Sequence, residues 1–249
     1  MLRANKKKMF ILMLLPLFWA GCSSKNVGLN PGQIDLKKAK EYQEAGRYEL
    51  AIENYTNIKN KYPLSPEAVE AELELSETYY LQGSYVEARA GFEAFRDLHP
   101  RHEKADFALF RIAMSHYKET PSTIDRDLQP AFDAISAFDT FLKTYPKSSH
   151  VKEAQEKRED CRKKLAEKEL YIANFYFKMK QYEAAAGRFR TILKKYRGVD
   201  FEEKALFHLA MCYHELKDKK SEKETLDLFL KEFPNSTFTT QAKSMLKDL

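Results

Sequence analysis

The sequence predicts an all-α solenoid of about five helix-turn-helix repeats closed by a C-terminal capping helix, and three observations predict it. Glycine is scarce, 8 in 249 residues, while Ala, Glu, Lys, Leu and Tyr are abundant, a composition that favours helices. A short phrase recurs: Ala45-Gly46-Arg47-Tyr48-Glu49-Leu50-Ala51 returns as Gln82-Gly83-Ser84-Tyr85-Val86-Glu87-Ala88 and, without glycine, as Lys180-Gln181-Tyr182-Glu183-Ala184-Ala185. Each phrase leads at helical spacing to an aromatic, Tyr55, Phe92 or Phe189, and then to a stop at Tyr62-Pro63, His99-Pro100 or Tyr196-Arg197. Tyr145-Pro146 and Phe233-Pro234 close two similar segments.

A period in the mid-thirties with these marks is the signature of tetratricopeptide repeats. Each unit is helix, tight turn, helix. Glycine or a small polar residue permits the turn, the alanine lets the second helix approach the first, and the aromatic fills the space between repeats. Proline ends each pair because it has no N–H for the next helical bond. Ser65, Ser148 or Ser149, and Ser236 stand where the following helix needs an N-cap.

In chain order, Met9 to Trp19 is an apolar run preceded by Arg3, Lys6, Lys7 and Lys8 and followed by Ala20 and Gly21. That is the layout of a secretory signal, and the run falls short of the about 20 residues a membrane span needs. Trp19-Ala20-Gly21-Cys22 resembles the bacterial lipobox, with tryptophan where leucine is common. The resemblance implies cleavage after residue 21, lipidation of Cys22 and, because Ser23 is not aspartate, retention in the outer membrane. Residues 22–33 read as a lipidated N-terminus and flexible tether. Repeats one to three are expected over 34–147, at roughly 34–64, 69–101 and 104–147; the third holds an extended loop in KETPSTIDRDLQP. The rest, 148–249, is expected to hold a long connecting helix from about Ser149 to Lys180, repeats four and five at 166–198 and 203–235, and the cap carrying Phe238, Ala242, Met245 and Leu246. On the long helix Val151, Ala154, Cys161, Leu165, Ile172 and Phe175 follow three- and four-residue steps, one apolar stripe. Repeat five is degenerate, with Glu222 in the place of the small alanine.

Charge narrows the partners. The formal net charge is +5, from 42 Lys and Arg against 37 Asp and Glu, but four of the basic residues precede Cys22, which leaves 38 against 37. A nucleic-acid footprint therefore loses its support. No metal, phosphate-loop, dinucleotide or nucleophile-elbow motif occurs, so neither an enzyme nor a cofactor is expected. Cys161 and Cys212 are expected as unpaired core thiols, with a disulfide as the alternative. Function should then lie on the concave face formed by the first helices. The inward positions of the repeat give Leu73, Glu77 and Tyr80, Arg111 and Ser115, Asn174 and Phe177, and Phe207 and Met211. An aromatic groove with one arginine suits an extended peptide with apolar side chains and a free carboxylate.

The lipobox-like site, about five repeats, the Asp125-Arg126-Asp127 loop leading into Ala134, Phe138 and Phe141, and the segment LAEKELYIANFYFKMKQYEAAAGR (Leu165 to Arg188) together resemble the BamD (YfiO) family of outer-membrane lipoproteins. The resemblance implies a non-enzymatic scaffold, lipid-anchored at the periplasmic face of the outer membrane, that helps fold and insert β-barrel proteins. It implies that the C-terminal repeats bind the periplasmic domains of BamA beside other assembly-machine lipoproteins. It also implies that the N-terminal repeats receive C-terminal segments of unfolded outer-membrane proteins, with Tyr62 and Pro63 as contact positions. Tyr80, Arg111, Phe177 and Phe207 are the further candidate partner-binding residues. The second reading is another envelope tetratricopeptide lipoprotein, a pilus-assembly pilotin or a division-linked coordinator.

Overall fold

The first helix of the described residues starts where a cap is available. The Asn30 side chain accepts the Gln33 backbone N–H at 2.8 Å and the Gln33 side chain accepts that of Asn30 at 3.0 Å, a reciprocal box that opens α1 (Pro31–Glu44). The computed structural model describes residues 28–249. Among them α1 is followed by α2 (Tyr48–Lys61), α3 (Pro66–Gln82), α4 (Tyr85–Leu98), α5 (Ala105–Glu119), α6 (Gln129–Thr144), α7 (Val151–Lys178), α8 (Tyr182–Lys195), α9 (Glu202–Glu215), α10 (Lys219–Glu232) and α11 (Thr239–Lys247), with no strand. Each helix packs on the one before it, and α1 also touches α3, and α5 touches α7, so the first helices form an inner row. The molecule is a tetratricopeptide solenoid of five helix pairs with α11 over the open end.

The recurrent phrase works as its chemistry predicts. Ala51, Ala88, Ala134 and Ala185 are fully buried where the second helix meets the first, and Tyr55, Phe92, Phe138 and Phe189, one helical turn on, fill the layer behind them. In the fifth pair Glu222 occupies the alanine position at 1 % exposure. Its carboxyl group is hydrogen-bonded to the His214 ring, with Nδ1 at 2.9 Å from Oε1, so the buried group has a polar partner. Outside the long loop of the third pair, the turns inside the pairs hold a left-handed residue. Gly46 and Gly83 supply it at φ 69° and 91°, but Lys180 and Lys217 adopt it at 58° and 62°, so neither glycine nor a small residue is required there.

The serines divide. Ser65 caps α3, its hydroxyl accepting the Ala68 N–H at 3.1 Å. Ser148 and Ser236 instead sit two residues ahead of the caps His150 and Phe238, whose N–H groups they accept. Each also donates to an acid on the preceding first helix, Ser148 to Asp106 at 2.7 Å and Ser236 to Glu203, which pins the inter-repeat turn.

Helices α3 and α4 approach so closely at Gly91 that a Cβ there would stand 2.3 Å from Ser76 Oγ and 3.1 Å from Ser76 Cβ. Gly91→Ala is therefore expected to push the two helices apart and cost about 1–3 kcal/mol. A thermal melt of the variant checks this, and an unchanged midpoint would mean that Ser76 swings clear.

The 28 residues of α7 span about 42 Å and serve two neighbours in turn. Ala154, Cys161 and Leu165 join the core of repeats two and three. Lys164 Nζ donates to the carbonyls of Pro121 and Ser122, and Lys168 Nζ to that of Arg126, so two lysines hold the extended loop of repeat three against the helix. Beyond this point α7 turns Leu170, Ala173, Tyr176 and Phe177 toward α8. The single stripe expected through Ile172 and Phe175 thus breaks: the interface rotates around the helix when the neighbour changes, and Phe175 is left 54 % exposed.

Cys161 and Cys212 are both free and buried, in different clusters. Burial pushes their thiols up, to about 11 and about 12. Neither is expected to react with iodoacetamide at pH 8 in the native state, while both alkylate in denaturant, which intact mass reads directly. Among the described residues no helix is long and apolar enough to cross a membrane.

Candidate functional site

The inner face of repeats one to three is organised by α3. Its sequence PEAVEAELELSETYYLQ sets Glu67, Glu70, Glu74 and Glu77 at steps of three and four, one stripe along the helix. Each finds a donor on a neighbouring first helix or its cap. Asn30 Nδ2 donates to Glu67 at 3.0 Å, Lys40 pairs with Glu70, and Gln43 Nε2 donates to Glu74 at 3.4 Å. From the other side Lys104 Nζ lies 3.9 Å from Glu74, and Arg111 donates through Nη2 to Glu77. The first helices are therefore cross-linked by charge, and the surface is a polar ladder more than an aromatic groove.

Arg111 sits at the deep end of the ladder. Its guanidinium lies over the Tyr80 ring at 4.4 Å and the Phe107 ring at 5.0 Å. It grips Glu77 by one N–H, leaving Arg111 Nε and Glu77 Oε2 buried without a partner. Desolvation raises the Glu77 carboxyl above its ordinary value against the pull of Arg111, and burial pushes the Tyr80 hydroxyl up to about 12. Beside this pair a cleft of about 350 Å³ is lined by Leu73, Glu74, Lys104, Phe107 and His150 among others. Among the described residues no group of three or more His, Cys, Asp or Glu is placed to hold a metal ion.

The expected site residues separate by burial. Arg111 is half-buried and already spoken for by Glu77; Tyr80 is 8 % exposed and packs edge-on to Tyr85. Leu73 and Ser115 are core, with the Ser115 hydroxyl donating to the Arg111 carbonyl. Phe207, expected in the groove, is 2 % exposed and stacked on Phe238 at 4.5 Å, so it belongs to the core of the terminal repeat. The reason is the capping helix: its first turn lies over the position that would otherwise face the groove. Phe177 is half-buried against Tyr182. Tyr62 donates its hydroxyl to Asp35 at 2.9 Å, and Pro63 is exposed. Cys22, the signal at 1–21 and the tether up to residue 27 lie outside the described residues.

A second surface escaped the sequence reading. Tyr171, Phe175 and Met179, one turn apart on α7, are 67 %, 54 % and 58 % exposed. They continue the helix face that packs on repeat three lower down, where the loop of residues 120–128 has ended. The dense charge of α7 concealed them; the four-residue spacing of three large apolar residues was the available signal.

Comparison with known proteins agrees with this architecture. The YfiO family model, described as "Outer membrane lipoprotein", matches residues 35–228. The chain is 27% identical over 253 residues to the "Outer membrane protein assembly factor BamD" of Neisseria gonorrhoeae, covering 95% of each chain. To the Vibrio cholerae protein of the same description it is 27% identical over 216 residues, 82% of this chain and 89% of that one. The corresponding Rickettsia prowazekii protein is 25% identical over 252 residues, 97% of each.

Proposed function

The chain belongs to the YfiO family of outer-membrane lipoproteins, and from that premise we propose that it is a scaffold of the machinery that assembles outer-membrane proteins, anchored at the periplasmic face by acyl chains on Cys22. The observation that carries this reading is the family match across 35–228, which takes in the inner-face ladder, the lysine-held loop and the long helix α7 together. An acyl anchor contributes about 0.8 kcal/mol per buried methylene, so it attaches the protein without a span.

The two parts of the chain take different roles in this reading. Residues 34–147 present the charged cleft to C-terminal segments of unfolded outer-membrane proteins, which exchange into the Glu77–Arg111 and Glu74–Lys104 pairs. Residues 148–249 hold the machine, with the periplasmic domains of BamA and the other lipoproteins as partners. The bare stripe of Tyr171, Phe175 and Met179 supports partner contact there, because three large exposed apolar side chains in a row mark interaction surfaces. Depletion of the protein is expected to lower outer-membrane porin levels, and purification from mild detergent to bring a barrel protein with it. Unchanged porin levels would sink the reading.

A further inference from the structure

Leu64 is 100 % exposed and has a φ of 66°, in the left-handed region. A leucine held there costs about 1–2 kcal/mol relative to a residue suited to it. The turns that close repeats two, three and five, at His99-Pro100, Tyr145-Pro146 and Phe233-Pro234, hold no left-handed residue, while the turn of repeat four holds Gly198 at φ 87°, at the position equivalent to Leu64. Where repeat four places a glycine with no side chain, repeat one holds a fully exposed leucine at a backbone cost that no burial of its side chain repays.

Leu64 is not isolated. Pro63 and Pro66 flank it, both exposed, and Pro31 at the start of α1, between Asn30 and Gly32, is exposed as well. The two segments are stapled together: Asn30 donates to Glu67, Lys61 and Tyr62 both donate to Asp35, and a Cβ on Gly32 would stand 3.5 Å from the Tyr62 ring. The tip also presents few backbone donors. Both prolines lack an N–H, and that of Ser65 is bonded to the Tyr62 carbonyl at 3.1 Å. Entry into an apolar phase thus leaves little unsatisfied.

Five residues separate Cys22 from Gly28, and the six Cα-to-Cα steps can span at most about 20 Å. If Cys22 carries acyl chains, as the reading above holds, this end of the solenoid cannot leave the lipid surface by more than that. We infer that the Tyr62–Pro66 turn seats the protein on the membrane, with Leu64 inserted at the boundary between headgroups and acyl chains. The turn is then a lipid contact in place of the client contact expected of Tyr62 and Pro63. Because Lys61 is balanced by Asp35, the occupant is an apolar interface under mainly zwitterionic headgroups.

The test uses the lipidated full chain in vesicles of phosphatidylethanolamine and phosphatidylglycerol, with an NBD fluorophore on Leu64→Cys. A second protein labelled at Leu98→Cys, which is 66 % exposed at the end of repeat two, is the reference. Both are expected to float with the vesicles. Only the label at 64 should shift to the blue and lose about half or more of its intensity to nitroxide lipids labelled near the carbonyls, the depth of about 5–10 Å at which such a side chain sits. Leu64→Gly removes strain and side chain together; it should keep or raise its melting midpoint, while a label at Pro63→Cys in that background loses the quenching. Flotation with an unshifted label at 64 overturns the insertion and leaves the anchor standing. Failure to float removes the anchor and the insertion with it. Protection of the label only when a purified assembly partner is added assigns the turn to a protein and overturns the lipid contact.

Discussion

Phe207→Ala is expected to destabilise the protein by about 3–5 kcal/mol, the range for deleting a buried aromatic ring. The ring is 2 % exposed, stacked on Phe238 at 4.5 Å and tilted against Phe229 at 5.5 Å. Its loss also loosens the cap. Helix α11 has one buried residue of its own, Ala242, and packs on the cluster of Phe207 and Phe229 through Phe238, Met245 and Leu246, so removing the Phe207 ring takes away part of the surface it rests on. In a solenoid each unit rests on its neighbour, and an unpinned cap exposes the α9–α10 layer. Amide exchange in α11 should therefore quicken first, and the melting midpoint should fall by on the order of 10 °C. A variant that kept its midpoint and its exchange pattern but lost a barrel partner would return Phe207 to the groove.

That prediction marks where the sequence could and could not be read. The alanine and aromatic pairs, Ala51 with Tyr55 through Ala185 with Phe189, were legible because close approach and space filling are imposed one helical turn apart by local periodicity. The extended loop and the long helix were legible from two prolines and from an absence of breakers. Which inward residues are free was not legible, since that depends on contacts distant in sequence. Arg111 meets Glu77 across 34 residues, Lys104 meets Glu74 across 30, and Phe207 meets Phe238 across 31. Periodicity names the helix face but not the neighbour that covers it. The same limit explains α7, whose apolar stripe broke at the point where its neighbour changed from repeat three to α8. Leu64 escaped for a different reason: the matching turn of repeat four takes the same left-handed conformation at Gly198, and nothing local in the sequence shows that a leucine adopts it in repeat one.

Arg111→Met should show a loss of stability that depends on pH in a defined direction. Glu77 already titrates above its ordinary 4.5 because burial outweighs Arg111, whose charge and hydrogen bond both lower it. Removing the guanidinium removes both, so the folded-state value rises further. Between the unfolded value and that raised one, the folded protein holds a proton that the unfolded chain has released, and stability falls as pH rises through the window. The variant should be about 2–4 kcal/mol less stable at pH 8, somewhat under the range for a fully buried pair because Arg111 and Glu77 keep 20 % and 12 % side-chain exposure. It should regain part of that toward pH 5, as Glu77 takes up its proton. Adding Glu77→Gln should flatten the dependence, since no charge then remains to be buried. Melting midpoints at the two pH values for the three proteins decide it. A loss equal at both would mean that Arg111 acts through its stacking on Tyr80 and Phe107, and that the inner ladder is held by packing and not by charge.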